Sequence, residues 1–279
     1  MESDPTLDRR SYLSAVGAAG LAAGAAGCVG LDDGNGDGNG DGNDDDSDDD
    51  SDDDTRTIVA GTAPGFPPFE FRQDGELLGF DIDLTEAVIE RSDYEFGGWE
   101  TFEFDSLIPA LQNGNIDVIA AAMTIEDERR EQIAFSDAYY EADQSVLVRS
   151  DDDDLPQSRE DLSGSIVGAQ GGTTGENEVD RLIDDGIIPE SDKNVYDNYT
   201  LAATDLENGN IDAVVVDVPV ARTFSEDLAV EVAFEIETGE EYGFGIRQDD
   251  EELVAAVNDG LEAVTDDGTY NDLVAEWFE

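Results

Sequence analysis

The heptapeptide Leu-Gln-Asn-Gly-Asn-Ile-Asp at Leu111–Asp117 is written again, with one change, as Leu-Glu-Asn-Gly-Asn-Ile-Asp at Leu206–Asp212. Each copy runs into an apolar stretch, Val-Ile-Ala-Ala-Ala from Val118 and Ala-Val-Val-Val-Asp from Ala213. Asn-Gly is a favoured helix stop, because the glycine accepts the left-handed conformation that closes the last turn. A short, continuous apolar run after such a stop reads as a buried strand. The copies therefore predict one helix–turn–strand joint used twice. Their alignment puts Ala122 and Asp217 at equivalent strand ends.

Outward from the first copy, Arg56–Gly61 predicts a strand and Gly65–Phe71 an aromatic loop, where prolines exclude helix and sheet interior. A helix is predicted from about Asp81–Asp83, with acidic residues favourable in its first turn. A second helix begins near Phe104 and stops at Asn113-Gly114, and Ile116–Ala122 follows as a strand. Thr124–Arg130 leads into another helix, and Ser145–Val148 is a strand. The second copy sits in a similar series: a strand at Ser165–Gln170, a Gly loop and helix, the Asn194–Tyr199 segment, a helix around Leu201–Leu206, and the strand Ile211–Asp217. Glu241–Arg247 predicts a returning strand, and two helices, Glu251–Val264 and Tyr270–Phe278, close the chain. Alternating strands and helices give an α/β fold with largely parallel sheets in two similar units. Ligands of such sheets collect at the carboxyl ends of the strands.

Candidate binding residues gather at those ends. Thr124 and Arg129 follow the first strand closely. Gly172, Thr173 and Thr174 lie between the second unit's first strand and its helix. Backbone N–H groups at a helix start, a hydroxyl and a forked guanidinium suit a carboxylate. Asp217 offers an acceptor for an ammonium. Taken singly, each has a plain alternative: a strand–helix turn, a surface ion pair of Arg129 with Glu126 or Glu128, a strand-end turn at Asp217. The Gly-rich run has no lysine after it, so it is not a phosphate loop. Together the residues suit the head group of an α-amino acid.

The 279 residues include 72 Asp and Glu against 13 Lys and Arg, for a net charge of −59. That charge argues against nucleic acid as a partner. With 39% hydrophobic residues, 12 Phe and 8 Tyr, the chain has enough apolar material for a core. A folded protein with an acidic surface suited to molar salt is therefore expected, in which screening offsets self-repulsion. Asp32–Asp54 lacks apolar residues and the spaced ligands of a calcium loop, and reads as a solvated spacer. Before it, Arg9-Arg10, a Gly/Ala-rich run and Ala26-Gly27-Cys28 resemble a twin-arginine export signal ending in a lipoprotein box, which makes Cys28 the expected lipidation site. Cys28 is the only cysteine, so neither a disulfide nor a cysteine metal site is expected. No metal and no cofactor are expected.

The segments Gly79–Val88, Phe104–Tyr140, Val167–Glu176, Leu206–Ala221 and Gly243–Phe278 resemble the family 3 extracytoplasmic solute-binding proteins, the polar amino acid receptors of ABC importers. The likeness, of the halophilic archaeal lipoprotein type, runs from about Ile58 to Phe278. It implies a two-lobed periplasmic-binding-protein-like (type II) fold with the ligand between lobes: 56–143 with 240–279 as the first, 144–239 as the second, after a leader at 1–28 and a linker at 29–55. Hinges are implied near Glu141–Ser145 and Glu237–Glu241. By motif position, Arg129 grips the ligand carboxylate, assisted by Thr124 and the backbone of Thr173. The Ala122 carbonyl and the Asp217 carboxylate hold the ammonium, and Phe66 and Phe104 flank the side chain. Relatives for basic amino acids carry an acid where this chain has Ala63, and Ala120–Ala122 bears no hydroxyl. A neutral polar or aliphatic amino acid is therefore favoured over a basic one, unless Glu70, Glu100 or Glu103 supplies the acid. The resemblance further implies an ABC permease as partner, a monomer, and a lipid-anchored place on the outer face of the cytoplasmic membrane. An exported dehydratase on the same scaffold, of the cyclohexadienyl type, is the alternative, although the chain has no histidine and no evident acid–base pair. A sensory or surface-structural module is a further reading, without a signalling domain to support it.

Overall fold

A computed structural model describes residues 55–279, except Asp153. The expected leader, the lipidation site Cys28 and the acidic spacer lie outside the described residues. Chain order gives strands β1 (Thr57–Thr62), β2 (Phe71–Gln73) and β3 (Glu76–Leu78), helix α1 (Phe80–Ile89), β4 (Glu95–Thr101), α2 (Leu107–Gln112), β5 (Val118–Ile119), α3 (Asp127–Arg130) and β6 (Ala134–Phe135). There follow β7 (Tyr140–Arg149), β8 (Val167–Gln170), α4 (Thr174–Asp184), β9 (Lys193–Tyr196), α5 (Tyr199–Glu207), β10 (Ala213–Asp217), α6 (Val218–Asp227) and β11 (Val230–Tyr242). The chain closes with β12 (Gly245–Ile246), α7 (Glu251–Asp266) and α8 (Thr269–Phe278). Among the described residues no helix is long and apolar enough to cross a membrane.

Two five-stranded sheets carry two lobes. The first has the order β4-β1-β5-β12-β6, the second β11-β7-β10-β8-β9. In the first, β1 runs parallel to β4 and β5, and β12 returns antiparallel. In the second, β8 runs parallel to β9 and β10. The long strands β7 and β11 pair antiparallel from Tyr140 opposite Tyr242 to Arg149 opposite Val230, and they carry the chain into the second lobe and back. The expected hinge segments lie inside this pair.

The repeated heptapeptide builds the same joint in both lobes. Gly114 (φ 73°) and Gly209 (φ 74°) take the left-handed conformation, and their N–H groups donate to Leu111 O at 3.1 Å and Leu206 O at 3.0 Å. The following Asn115 and Asn210 donate back to Ala110 O (3.0 Å) and Asp205 O (2.9 Å), completing the helix stop. Each Asp then fastens to the neighbouring strand. Asp117 donates its N–H to Val59 O and accepts the Val59 N–H at 3.0 Å, while Asp212 does the same with Ile166 at 2.9 Å. An arginine from outside the repeat caps each joint. Arg247 donates to Ile116 O (2.6 Å) and Asp117 (2.6 Å), and Arg149 to Ile211 O (2.5 Å) and Asp212 (3.4 Å).

Several boundaries differ from the sequence reading. The strand expected over Ile116–Ala122 is ladder-paired only at Val118–Ile119, because Ala122 turns to φ 44° and gives its N–H to Asp81. Ser145–Val148 is the centre of a ten-residue strand. Glu241–Arg247 is not one strand: β11 ends at Tyr242 and β12 begins at Gly245. The reading did not contain β4, α6 or most of β11. In β11 Glu231, Glu235, Glu237 and Glu241 interrupt the apolar residues, so the longest apolar run is the three residues 232–234, too short to mark a thirteen-residue strand.

Candidate functional site

Between the lobes lies a small cavity. It is lined by Phe66, Phe104, Ala122, Thr124, Arg129, Thr173, Thr174 and Asp217, eight of the nine residues expected there, together with Ala63, Glu70, Ala121 and Gln170. Gly172, the ninth, is outside the lining, and its N–H donates to Glu176 at 2.7 Å. Its role is to accept from Arg129 through its carbonyl.

The lobes are shut on one another around this cavity. Arg129, on the short α3 of the first lobe, donates to Thr124 O at 2.8 Å and, across the cleft, to Gly172 O at 3.0 Å. Its guanidinium also lies over the Phe104 ring, 5.4 Å from the centroid, and 3.2 Å from Glu126. Burial lowers its pKa from the usual value, opposed by Glu126, Glu240, Asp217 and Glu128. Phe66 meets Tyr199 of the second lobe at 5.4 Å, and Thr200 donates to Gly65 O at 3.3 Å.

The second-lobe wall starts at Thr173, the N-cap of α4, whose hydroxyl accepts the Glu176 N–H at 3.2 Å. That hydroxyl also donates to Gln170 O at 2.8 Å and lies 3.0 Å from the Tyr199 hydroxyl. The side chain is thus occupied, and the start of an eleven-residue helix presents its dipole to the cavity. The hydroxyls of Thr124 and Thr174 differ from expectation. Both donate to Glu240, at 2.9 and 2.7 Å, and are not free donors for a carboxylate.

Three buried carboxyls stand at the cavity: Asp217 and Glu70 line it, and Asp81 holds the lining residue Ala122. Asp217 accepts from Tyr242 at 2.6 Å, and burial, then the nearby Glu240, push its pKa up to about 7. Asp81 accepts the Ala122 N–H and the Tyr139 hydroxyl, both at 2.7 Å; burial pushes it up to about 7. Glu70 is 1% exposed, and its Oε2 has no hydrogen-bond partner among the described residues. Burial, then Asp81 and Asp217, hold its carboxyl well above the usual range. Of the three acids left open as a replacement for the one absent at Ala63, Glu70 lines the cavity, and Glu100 and Glu103 do not.

Sequence reasoning named Glu70 without a position and gave no site role to Asp81, Gln170 or Glu240. Glu70 reaches the cavity through the Phe66–Glu70 bridge, which folds the Pro67-Pro68 loop back on itself. Proline content predicted a loop but not its direction.

The family described as "Bacterial extracellular solute-binding proteins, family 3" matches residues 58–279. A probable histidine-binding protein of Campylobacter jejuni is 35% identical over 226 residues, covering 80% of this chain and 85% of that one. Among solved structures, an ancestral arginine-binding protein bound to arginine is 38% identical, with a TM-score of 0.75 over 80% of this chain and 98% of that chain. An ancestral amino acid-binding protein, described as a precursor of cyclohexadienyl dehydratase, is 35% identical, with a TM-score of 0.73 over 80% and 96%.

Proposed function

This chain belongs to family 3 of the bacterial extracellular solute-binding proteins, and from that premise we propose that it is the receptor of an ABC importer for an amino acid with a cationic side chain. The family acts outside the cytoplasm, and its amino-acid-binding members serve ABC transporters. The side-chain class rests on one observation, the unpartnered Glu70 carboxylate oxygen in a cavity that already holds Arg129 and Asp217.

The charge balance supports this reading. Burial favours the neutral forms of Glu70 and Asp217 in the ligand-free cavity. A ligand ammonium beside Asp217 favours ionising that carboxyl, and only a ligand with a second cationic group does the same for Glu70. Buried charge is costly unless paired, so the cationic ligand has the larger electrostatic gain. In this assignment the ligand carboxylate meets Arg129 and the start of α4. Its ammonium meets Asp217 and the Ala122 carbonyl, and its side chain passes Phe66 and Phe104 toward Glu70. Names of relatives that refer to histidine and arginine agree with this direction. It replaces the neutral ligand expected from Ala63.

Delivery to the permease follows lobe closure, a hinge motion that ligand selects. Anchoring through a lipid on Cys28, after twin-arginine export, rests on the sequence alone. Substituting Cys28→Ser is expected to release the protein from membranes, and unchanged association contradicts the anchor. The receptor reading is tested by a thermal-shift screen of the twenty L-amino acids in molar salt. Arginine, lysine or histidine is expected to raise Tm, as binding to the folded state must. A screen with no shift contradicts the reading.

A further inference from the structure

Glu240 lies outside the lining of the cavity, yet it meets both lobes. Its Oε2 accepts from Thr124 Oγ1 of the first lobe at 2.9 Å and from Thr174 Oγ1, at the start of α4 in the second, at 2.7 Å. Gln144 Nε2, on the crossing strand β7, approaches the same oxygen at 3.4 Å and Thr174 Oγ1 at 3.2 Å.

The strand is built to deliver this side chain. Opposite β7, Ile236 pairs with Gln144 but Glu240 pairs with Ala142, so residues 237–239 bulge opposite Asp143. Asp143 closes the bulge by accepting the N–H groups of Thr238 and Gly239, both at 2.8 Å, and Gly239 supplies the positive φ of 63°. Immediately after Glu240, the chain fastens to the first lobe. Ile125 N–H donates to Glu241 O at 2.8 Å, and Thr124 bridges Tyr242. The bulge therefore sets Glu240 at the place where the Thr124 loop, the α4 start and the crossing strand converge.

We propose that Glu240 is an interlobe strut, a positioning residue that holds the closed lobes together through Thr124 and Thr174 and so sets how slowly ligand leaves. Charge-assisted hydrogen bonds are stronger than neutral ones, and these two tie the Thr124 loop of the first lobe to the α4 start of the second. The strut also assigns the protons of both hydroxyls. Each hydroxyl has one, and Glu240 takes it, so carboxylate recognition falls to Arg129 and the start of α4. This rests on the receptor reading for its ligand, but the strut is a property of the closed chain.

The test compares wild type with Glu240→Ala, Glu240→Gln and Thr174→Val. L-arginine association and dissociation are followed by stopped flow, and the closed population by fluorescence energy transfer between dyes on the two lobes, with and without L-arginine. Glu240→Ala is expected to dissociate L-arginine about tenfold faster. Its association rate should remain that of wild type, with fewer closed molecules. Glu240→Gln, which keeps an acceptor oxygen, falls between. Combining Thr174→Val with Glu240→Ala should add less than the two single effects, because both remove one contact. Unchanged dissociation with an unchanged closed population overturns the strut, as does tighter binding by Glu240→Ala. Failure of wild type to bind any amino acid overturns the receptor reading instead, and the closed populations still decide on Glu240.

Discussion

The carboxylate of Asp81, at the start of α1, accepts the backbone N–H of Ala122 at 2.7 Å and holds that alanine at φ 44°. A residue with a Cβ takes this conformation at a cost of about 1–2 kcal/mol, so something must over-determine it. Asp81 does so, aided by the Tyr139 hydroxyl on the same oxygen. Asp81→Ala is expected to release Ala122 into ordinary strand geometry and weaken ligand binding at least tenfold by calorimetry. Asp81→Asn keeps an acceptor oxygen and should stay within about threefold of wild type. Equal binding by both variants would show that the turned alanine has no part in the site.

Arg129 joins the two lobes and lines the cavity, and in the proposed reading its fork geometry lets one group hold both lobes and meet the ligand carboxylate. Lysine at this position keeps the charge but cannot span Thr124 O and Gly172 O while meeting a carboxylate. Arg129→Lys should therefore lose at least about 2 kcal/mol of binding free energy, close to the loss in Arg129→Ala. Calorimetric affinities of the two variants check this, and wild-type affinity in Arg129→Lys would place the carboxylate elsewhere.

The pH dependence of stability has a definite sign. Asp81 rises from 3.8 to about 7 on folding, and Asp217 moves the same way. Between those values the folded chain keeps protons that the unfolded chain releases, so stability is lost as pH rises from about 4 to about 7. For Asp81 the change amounts to about 4 kcal/mol. Urea midpoints of ligand-free protein across this window should fall with pH from these two groups, and Asp81→Asn should flatten the slope. A slope equal to wild type in that variant would mean that Asp81 is ionised at an ordinary pKa.

The two caps of the repeated joint should be equivalent. Removing Arg149 or Arg247 leaves the Ile211 or Ile116 carbonyl without its arginine donor and takes one of several donors from Asp212 or Asp117, the latter keeping Arg56 at 3.2 Å. Each alanine variant is expected to cost about 2 kcal/mol, read as a shift in urea midpoint. A large loss in one lobe with none in the other would end the equivalence.

These joints show what the sequence made legible. The repeat predicted helix, stop and strand in both lobes because the Gly-Asn turn and Asp-to-strand bonds are local chemistry. The arginines that complete them lie 62 and 131 residues from the carbonyls they cap, in β7 and just beyond β12, and no spacing announced them. The same division holds in the site. Arg129 and Asp217 lie near strand ends, where α/β sheets gather ligands, and both line the cavity. Glu70 and Glu240 arrive by a folded-back proline loop and a strand bulge, whose directions depend on tertiary contacts. In a chain this rich in acids, a buried glutamate carries no distinguishing mark in the sequence.

Calorimetric titration of wild type and Glu70→Gln with L-arginine and L-glutamine tests the central claim most directly. Wild type is expected to bind L-arginine at least tenfold more tightly than L-glutamine, a difference of about 1.4 kcal/mol, and Glu70→Gln to abolish that preference while still binding. Equal affinities in wild type, or a preference for L-arginine that survives Glu70→Gln, would contradict the account.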